Sequence, residues 1–109
     1  MVKRLSAVLV IAFLLTACQS TPPSESQRIG EMVLAVDAAM DRPGDPEALE
    51  TIARYGTDTR YYIMIRGWLV QELAGVESQL DATRDPERRA AFQAEADFLR
   101  QAIRRIDLE

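Results

Sequence analysis

The sequence predicts an all-α protein, a small bundle of about four helices, on three observations. Four successive segments carry apolar residues at intervals of three and four, as one buried face of a helix requires. Helix-start patterns precede them, including Asp-Pro-Glu at both 45–47 and 85–87. No segment shows the alternation of apolar and polar residues that a half-buried strand requires. Even residues 61–65, which favour β-structure in composition, continue into a helical pattern. With 109 residues, the chain forms one domain at most.

The first helix is predicted at about 25–41. Ser24 and Gln27 have the spacing of a capping box, in which each side chain accepts a hydrogen bond from the other's backbone N–H. The buried stripe consists of Ile29, Met32, Val33, Val36 and Met40. The sequence Arg-Pro-Gly at 42–44 ends the helix, because neither proline nor glycine continues it well.

The second helix is predicted at about 46–55. Asp45 is its N-cap, and Pro46 is its first residue, where the missing N–H leaves no hydrogen bond unmade. Its apolar face consists of Leu49, Ile52 and Ala53. Gly56 ends it. A helix of about three turns does not persist alone, so this one needs a neighbour.

The third helix, at about 58–83, is the centre of the predicted bundle, and Thr57 or Asp58 can cap its start. A near-heptad stripe runs along it, made of Tyr62, Ile65, Leu69, Leu73, Val76 and Leu80. Its first half has apolar residues on other sides too, namely Tyr61, Ile63, Met64, Trp68 and Val70. A helix that is apolar nearly all round is buried on most sides. The first half should therefore lie among several helices, and the second half against one or two.

The fourth helix is predicted at about 86–107, and it should form a long antiparallel hairpin with the third. At 1.5 Å per residue, the third and fourth helices are roughly 39 and 33 Å long. The two shorter helices should pack across this hairpin. Gly67, Ala74 and Ser78 share one face of the third helix, where small side chains would let another backbone approach closely.

The first 18 residues differ from the rest of the chain. Lys3 and Arg4 make the start cationic, residues 5–15 are almost wholly apolar, and residues 16–18 end the segment with small side chains. This order is typical of a secretory signal peptide. As a helix, the apolar run would be roughly 16 Å long, which is too short to span a hydrocarbon core of ~30 Å.

Leu15-Thr16-Ala17-Cys18 resembles the lipobox of bacterial lipoproteins, which lipoprotein signal peptidase cuts before the cysteine. The resemblance implies that residues 1–17 are a signal peptide and that Cys18 carries acyl chains, such as palmitate, that anchor the protein in a membrane. In enterobacterial-type lipoproteins, an aspartate after the cysteine retains the protein at the inner membrane. Gln19 therefore implies the outer membrane, on its periplasmic face. The alternatives are an ordinary secretory signal followed by a free cysteine, or a buried N-terminal helix.

On this interpretation, residues 18–24 are a lipidated cysteine and short tether, and 25–109 are a single helical domain. The six residues after the cysteine reach only ~20 Å, so the domain lies close to the lipid surface. Cleavage removes Lys3 and Arg4 and no acid, so the net charge moves from −4 to −6. This acidity disfavours nucleic-acid binding. Because Lys3 is the only lysine, the mature chain has none for a covalent peptidoglycan link.

The composition excludes several kinds of chemistry. With no histidine and one cysteine, the chain cannot build a Ser-His triad, a Cys-His pair, a histidine-ligated zinc site or an internal disulfide. Glu72 and Glu77 are the candidates for a carboxylate acid–base pair, and Asp81 and Asp85 for metal ligands. Surface charge and helix capping explain all four better. We therefore expect no catalytic residue, no metal site, no cofactor and no enzyme activity.

Residues 54–68 are the candidate partner-binding segment. They hold three tyrosines and the only tryptophan, interleaved with three arginines. Tyr, Trp and Arg are enriched at interface hot spots. The residues predicted to bind a partner are Arg60, Tyr61, Met64, Arg66 and Trp68. The alternative, which a chain of this size favours, is that the rings fill the core and the arginines extend into solvent.

The sequence thus predicts a lipid-anchored periplasmic lipoprotein of the outer membrane. Its expected role is that of a non-enzymatic accessory or scaffold factor in cell-envelope assembly or maintenance, acting through contacts with an envelope protein. The alternative is a binding module or inhibitor that presents an Arg/Tyr/Trp surface to an envelope enzyme or glycan.

Overall fold

The computed structural model describes residues 21–109, so the predicted signal peptide at 1–17, Cys18 and Gln19 lie outside the described residues. Four helices and no strands make up the described part: α1 (Glu25–Met40), α2 (Pro46–Gly56), α3 (Tyr62–Ala82) and α4 (Pro86–Leu108). The predicted all-α fold is confirmed. None of these four helices is both long enough and apolar enough to cross a membrane.

The predicted capping box starts α1. The N–H of Gln27 donates to Ser24 Oγ at 3.2 Å, and the N–H of Ser24 donates to Gln27 Oε1 at 2.8 Å. The helix ends at Met40, and the chain then turns through Gly44, whose φ of 84° is a conformation that favours glycine. Arg-Pro-Gly therefore ends α1, as predicted.

Asp45 caps α2, as predicted, by accepting the N–H of Glu47 at 2.9 Å. Gly56 is the last residue of α2, but it does not end the helix through a positive φ. It is buried against α4, and a Cβ built on it would lie 2.6 Å from Cγ2 of Ile106. Its missing side chain therefore allows close packing between α2 and α4.

The start of α3 lies four residues after the predicted one, at Tyr62. Residues 57–61 form a turn in which Asp58 Oδ1 accepts the N–H of Arg60 at 2.9 Å. The Asp58 carbonyl oxygen also accepts the N–H of Tyr61 at 2.9 Å. Asp58 thus stabilises a turn before the helix and does not cap α3, because its side chain bonds locally to the backbone.

The predicted antiparallel hairpin consists of α3 and α4. Arg66 of α3 pairs with Asp107 of α4, and Glu77 pairs with Arg100 farther along, each at 2.9 Å. The two shorter helices pack as a second hairpin. Helix α2 contacts both α3 and α4, whereas α1 packs chiefly against α2. Helix α2 therefore packs across the long hairpin, as expected. Helix α1 instead packs mainly on α2.

All four helices contribute to a single core. Its buried members are Met32, Val36, Ala39, Met40, Ala48, Ile52, Tyr61, Ile65, Leu69, Val76, Ala96, Phe98, Leu99, Ala102 and Ile106. On α3 the last buried residue is Val76, and on α4 the first is Ala96. We call residues 77–95 the hairpin tip, and the rest of the four helices the core half.

Candidate functional site

The five residues predicted to bind a partner do not form one surface. Arg60 and Met64 are exposed, Trp68 is half-buried, and Tyr61 is only 5% exposed. Arg66 lies about 160° around α3 from Trp68, and it pairs with α4. The predicted set is therefore divided among the core, an interhelical ion pair and the solvent-exposed surface.

Tyr61 belongs to the core, and Arg60 lies over its ring. The ring centroids of Tyr61 and Tyr55 are 6.5 Å apart with a tilt of 60°, a geometry that aromatic pairs favour. The guanidinium carbon of Arg60 lies 5.1 Å from the Tyr61 centroid. Arg60 also donates through Nε and Nη2 to the carboxylate of Asp58. The sequence left open whether Tyr61 is core or surface, and the structure places it in the core.

Arg66 joins the start of α3 to the end of α4. Its Nε and Nη2 donate to the two carboxylate oxygens of Asp107 at 2.9 and 3.1 Å. The Tyr62 hydroxyl donates to Asp107 Oδ1 at 2.8 Å. The bonds from Arg66, and then the bond from Tyr62, hold the pKa of Asp107 below its usual range. The bond to Asp107 raises the pKa of Tyr62. Arg66 therefore has a structural partner within the chain.

One side of α3 is exposed along most of its length and carries no charge. We call it the α3 outer face; its exposed members are Ile63, Met64, Gly67, Val70, Gln71, Ala74, Gly75 and Ser78. Ile63 is 82% exposed, Met64 44% and Val70 41%. A Cβ built on Gly67 would have nothing within 4 Å. Exposed apolar side chains gathered on one helix face are typical of an interaction surface.

The prediction that the first half of α3 is buried on most sides was wrong on this face. The buried stripe contains Ile65 and Leu69, while Ile63 and Val70 project away from it. A signal was present in the sequence, because Ile63, Gly67, Val70 and Ala74 follow one another at intervals of four, three and four. That spacing is a second helical stripe. Two stripes on one helix indicate either two neighbours or one neighbour and an exposed face.

Two of the four carboxylates considered for catalysis or metal binding, Glu77 and Asp85, have structural partners. Glu77 accepts a hydrogen bond from Arg100 Nη2 at 2.9 Å. Asp85 caps α4 by accepting the N–H of Arg88 at 3.1 Å. Within residues 21–109, no group of three or more histidine, cysteine, aspartate or glutamate side chains is placed to hold a metal ion.

A second group of acids lies at the boundary between the core half and the hairpin tip. Burial raises the pKa of Glu95, and the negative charges of Glu72 and Asp41 raise it further. Glu72 also lies 3.4 Å from the indole nitrogen of Trp68, a long hydrogen bond. These like charges repel one another, so removing the charge of Glu95 tests how the boundary is held together.

Comparison of the chain with protein-family models, curated proteins and solved structures found no match. Its function is therefore inferred from its own residues and their geometry. The α3 outer face is the feature on which that inference depends most.

Proposed function

We propose that this chain is a lipid-anchored protein on the periplasmic face of the outer membrane, and that it acts without catalysis. Its role is that of an accessory or scaffold factor in cell-envelope assembly or maintenance. The single observation that carries the proposal is the α3 outer face, an uncharged surface on a helix whose opposite side is in the core.

The contacts of the polar residues support a non-catalytic role. Glu77, Asp85 and Asp107 each have a partner within the chain, so their charges serve helix packing and capping. A catalytic acid–base pair needs carboxyl groups that are held in a cleft and reachable by substrate. The α3 outer face has no such carboxyl groups; it is an exposed, mainly apolar side of a helix, which suits contact with another protein.

The start of α1 supports a domain held close to the membrane. The helix begins at Glu25, directly after Ser24, so only residues 19–24 separate it from the proposed acylation site at Cys18. Such a tether reaches ~20 Å at full extension. An acyl anchor of more than one chain gives lasting attachment. Partners of the α3 outer face would then be proteins of the same membrane or of the adjacent periplasm.

Palmitate labelling tests the anchor. The full chain should incorporate labelled palmitate in a bacterial host, and Cys18→Ala should abolish it. In an enterobacterial host, Gln19→Asp should move the protein from the outer to the inner membrane fraction. Labelling that survives Cys18→Ala would overturn the proposed anchor and localisation.

Photocrosslinking in intact envelopes tests the contacts. A photoreactive residue at Ile63, on the α3 outer face, should give a discrete crosslinked protein species. Leu34 on α1 is the matched control, because it is an apolar residue 73% exposed against 82% for Ile63. Equal crosslinking from both positions, or none from either, would contradict the proposed role of this face.

The alternative function, recognition of a glycan by the aromatic segment, has its own test. Trp68 is half-buried and packs against the core, so its fluorescence reports on nearby binding and on folding. Titration with peptidoglycan fragments should leave the emission unchanged. A saturable change, with unaltered helix content by circular dichroism, would favour the glycan-binding alternative.

A further inference from the structure

The two ends of the α3 outer face carry opposite charges. Arg60 lies just before the face, and its side chain is 57% exposed even though it pairs with Asp58. Asp81, one turn beyond Ser78, is exposed at the other end. The order along the face is therefore an exposed guanidinium that is paired with Asp58, an apolar stretch, and an acid.

We propose that the α3 outer face binds the same face of a second copy of this chain, with the two α3 helices antiparallel. The proposal deepens the proposed function by naming the partner. Antiparallel pairing brings Arg60 of each copy to Asp81 of the other, whereas parallel pairing brings like charges together. Because both copies use the same surface, the contact is a closed two-fold dimer.

The side chains of the face also fit this register. When Arg60 lies opposite Asp81, Ile63 lies opposite Ser78, and Gly67 lies opposite Ala74. The large side chain of Ile63 thus meets the small side chain of Ser78. Gly67 and Ala74 are both small, so they let the helix backbones approach closely near the middle. Val70 of each copy lies beside the two-fold axis. At 100° per residue, the helical positions of this register, from Ile63 to Asp81, fall within about 100° of the helix circumference, so they can contact one neighbour together. Arg60 lies in the turn that precedes α3, next to this end of the face.

Charge favours a second copy over a lipid surface as the occupant. Six more acids than arginines remain after the leader is removed, and an anionic membrane repels such a domain. The α3 outer face lacks the arginines and lysines that accompany membrane-binding helix faces. The α3 outer face has an uncharged centre and opposite charges at its two ends, so it can pair with an antiparallel copy of itself.

The size of the face indicates that the dimer depends on the anchor. From Ile63 to Ser78 the face is about 22 Å long, and a helix is ~10 Å wide. That footprint is below the roughly 800 Å² per partner of a stable soluble interface. Confinement to one membrane would raise the local concentration of copies, as a linker does for tethered modules. In this respect the dimer rests on the proposed anchor.

Cysteine crosslinking of the full chain in native envelopes tests the dimer. Val70→Cys, treated with a short bismaleimide, should give a species of twice the chain mass. Val33→Cys on α1 is the matched control, since Val33 is 37% exposed against 41% for Val70, and it should give little or none. Adding Gly67→Gln to Val70→Cys should reduce the dimer by roughly tenfold, because a bulky side chain then separates the helices.

Gly30→Gln is the control for that substitution. A Cβ at Gly30, like one at Gly67, has nothing within 4 Å, so both positions have room for a side chain to begin. Adding Gly30→Gln to Val70→Cys should leave the dimer yield unchanged. Equal dimer yields from Val70→Cys and Val33→Cys, or a yield that Gly67→Gln leaves unchanged, would overturn the dimer. A crosslinked product of a different mass would also overturn it, but would leave the scaffold role in place.

A charge exchange tests the antiparallel arrangement. In the Val70→Cys background, Arg60→Asp alone and Asp81→Arg alone should each lower the dimer yield. Arg60→Asp and Asp81→Arg combined in one chain should restore it, because an antiparallel pair then again joins opposite charges at both ends, whereas a parallel pair joins like charges. No recovery in the combined variant would overturn this orientation.

The parent chain separates the two proposals. Its only cysteine is Cys18, so an acylated parent should not react with maleimide. A parent that reacts would contradict the anchor. A parent that does not react, together with equal dimer yields from Val70→Cys and Val33→Cys, would contradict the dimer alone.

Discussion

The core half and the hairpin tip are built from the same two helices, yet they are held in different ways. Up to Val76 on α3 and from Ala96 on α4, apolar side chains are buried against each other and against α2. Between these limits, residues 77–95 include no buried side chain. The long hairpin is therefore a core element along part of its length and a two-helix extension beyond it.

Polar contacts and one partly buried ring hold the hairpin tip, in which Phe92 packs against the core cluster but no side chain is buried. Arg89 Nη1 donates to the carbonyl oxygens of Leu80 and Thr83 at 2.6 and 2.9 Å, which satisfies the open end of α3. Asp85 caps α4 on the other side of the turn. Hydrogen bonds in contact with solvent contribute less than burial of large apolar side chains. The tip should therefore open locally before the core half unfolds.

The largest expected effect compares one substitution in the two regions. Leu69→Ala, in the core half, removes a side chain that is 0% exposed. It should lower the free energy of unfolding by about 2–5 kcal/mol, because it leaves a cavity. Leu80→Ala, in the tip, removes a partly buried side chain outside the core cluster, and should cost about 1 kcal/mol.

Urea unfolding followed by circular dichroism measures both changes. Each variant should keep the m-value of the parent, which shows that the same surface is exposed on unfolding. Equal losses for Leu69→Ala and Leu80→Ala would mean that the tip is as well packed as the core half, and the distinction between them would fail.

The next effect concerns two glycines in different surroundings. Gly56→Ala places a methyl group 2.6 Å from Ile106 Cγ2, in a buried contact between α2 and α4. Overpacking of this kind costs about 1–3 kcal/mol. Gly30→Ala, in open space on α1, should instead stabilise by about 0.5–1 kcal/mol, because alanine is the better helix former.

Thermal unfolding of the full chain distinguishes the two signs. The midpoint should fall for Gly56→Ala and rise for Gly30→Ala. A Gly56→Ala protein as stable as the parent would show that α4 can move away from α2 without loss. The close approach of these helices would then not contribute to the stability of the core half.

The local rules of helix formation allowed most of the fold to be predicted. The capping box at Ser24 and the two aspartate caps at Asp45 and Asp85 depend only on neighbouring residues, and each is present. The start of α3 could not be placed from such rules, because Asp58 has two local uses. Its side chain can cap a helix or form a turn, and packing of Tyr61 in the core favours the turn.

The candidate site was harder to predict because it depends on which neighbours each helix has. Tyr61 and Ile63 are both large apolar residues at the start of α3, but one is 5% exposed and the other 82%. Their difference arises from the positions of α2 and α4, which no local pattern specifies. The partner of Arg66 is likewise distant in sequence, since Asp107 lies 41 residues away.

A smaller effect tests the boundary between the two regions. Glu95 has a raised pKa, so its charged form opposes folding, and the stability of the protein falls as the pH rises through that pKa. Glu95→Gln should therefore stabilise the protein at pH 7, by less than about 1 kcal/mol because the group is largely solvated. The gain should vanish below about pH 4, where glutamate is protonated in both states.

Parallel urea titrations of parent and variant at several pH values measure this difference. Glu72→Gln should give a smaller gain of the same sign, since it removes one of the charges that act on Glu95. A loss of stability at pH 7 in Glu95→Gln would mean that the carboxylate makes a favourable contact, and that the boundary is not a site of repulsion.

The smallest expected effect has the opposite pH dependence and lies at the far end of the core half. Asp107 has a lowered pKa, so its contribution to stability is present above the unfolded pKa of about 3.9 and is lost as the pH falls through the folded value. Asp107→Asn should therefore destabilise the protein at neutral pH, and the difference from the parent should close on acidification. Added salt should reduce the difference, because the pair is partly exposed.

A double-mutant cycle assigns this effect to the ion pair. Arg66→Gln should resemble Asp107→Asn, and the double variant should be less destabilised than the two single changes added together, because either change alone already breaks the pair. Strict additivity would mean that the two residues act independently. The end of α4 would then be held by apolar packing around Ile106 and by the pair of Arg105 with Glu50. The pair of Arg66 with Asp107 would not be among the contacts that stabilise the core half.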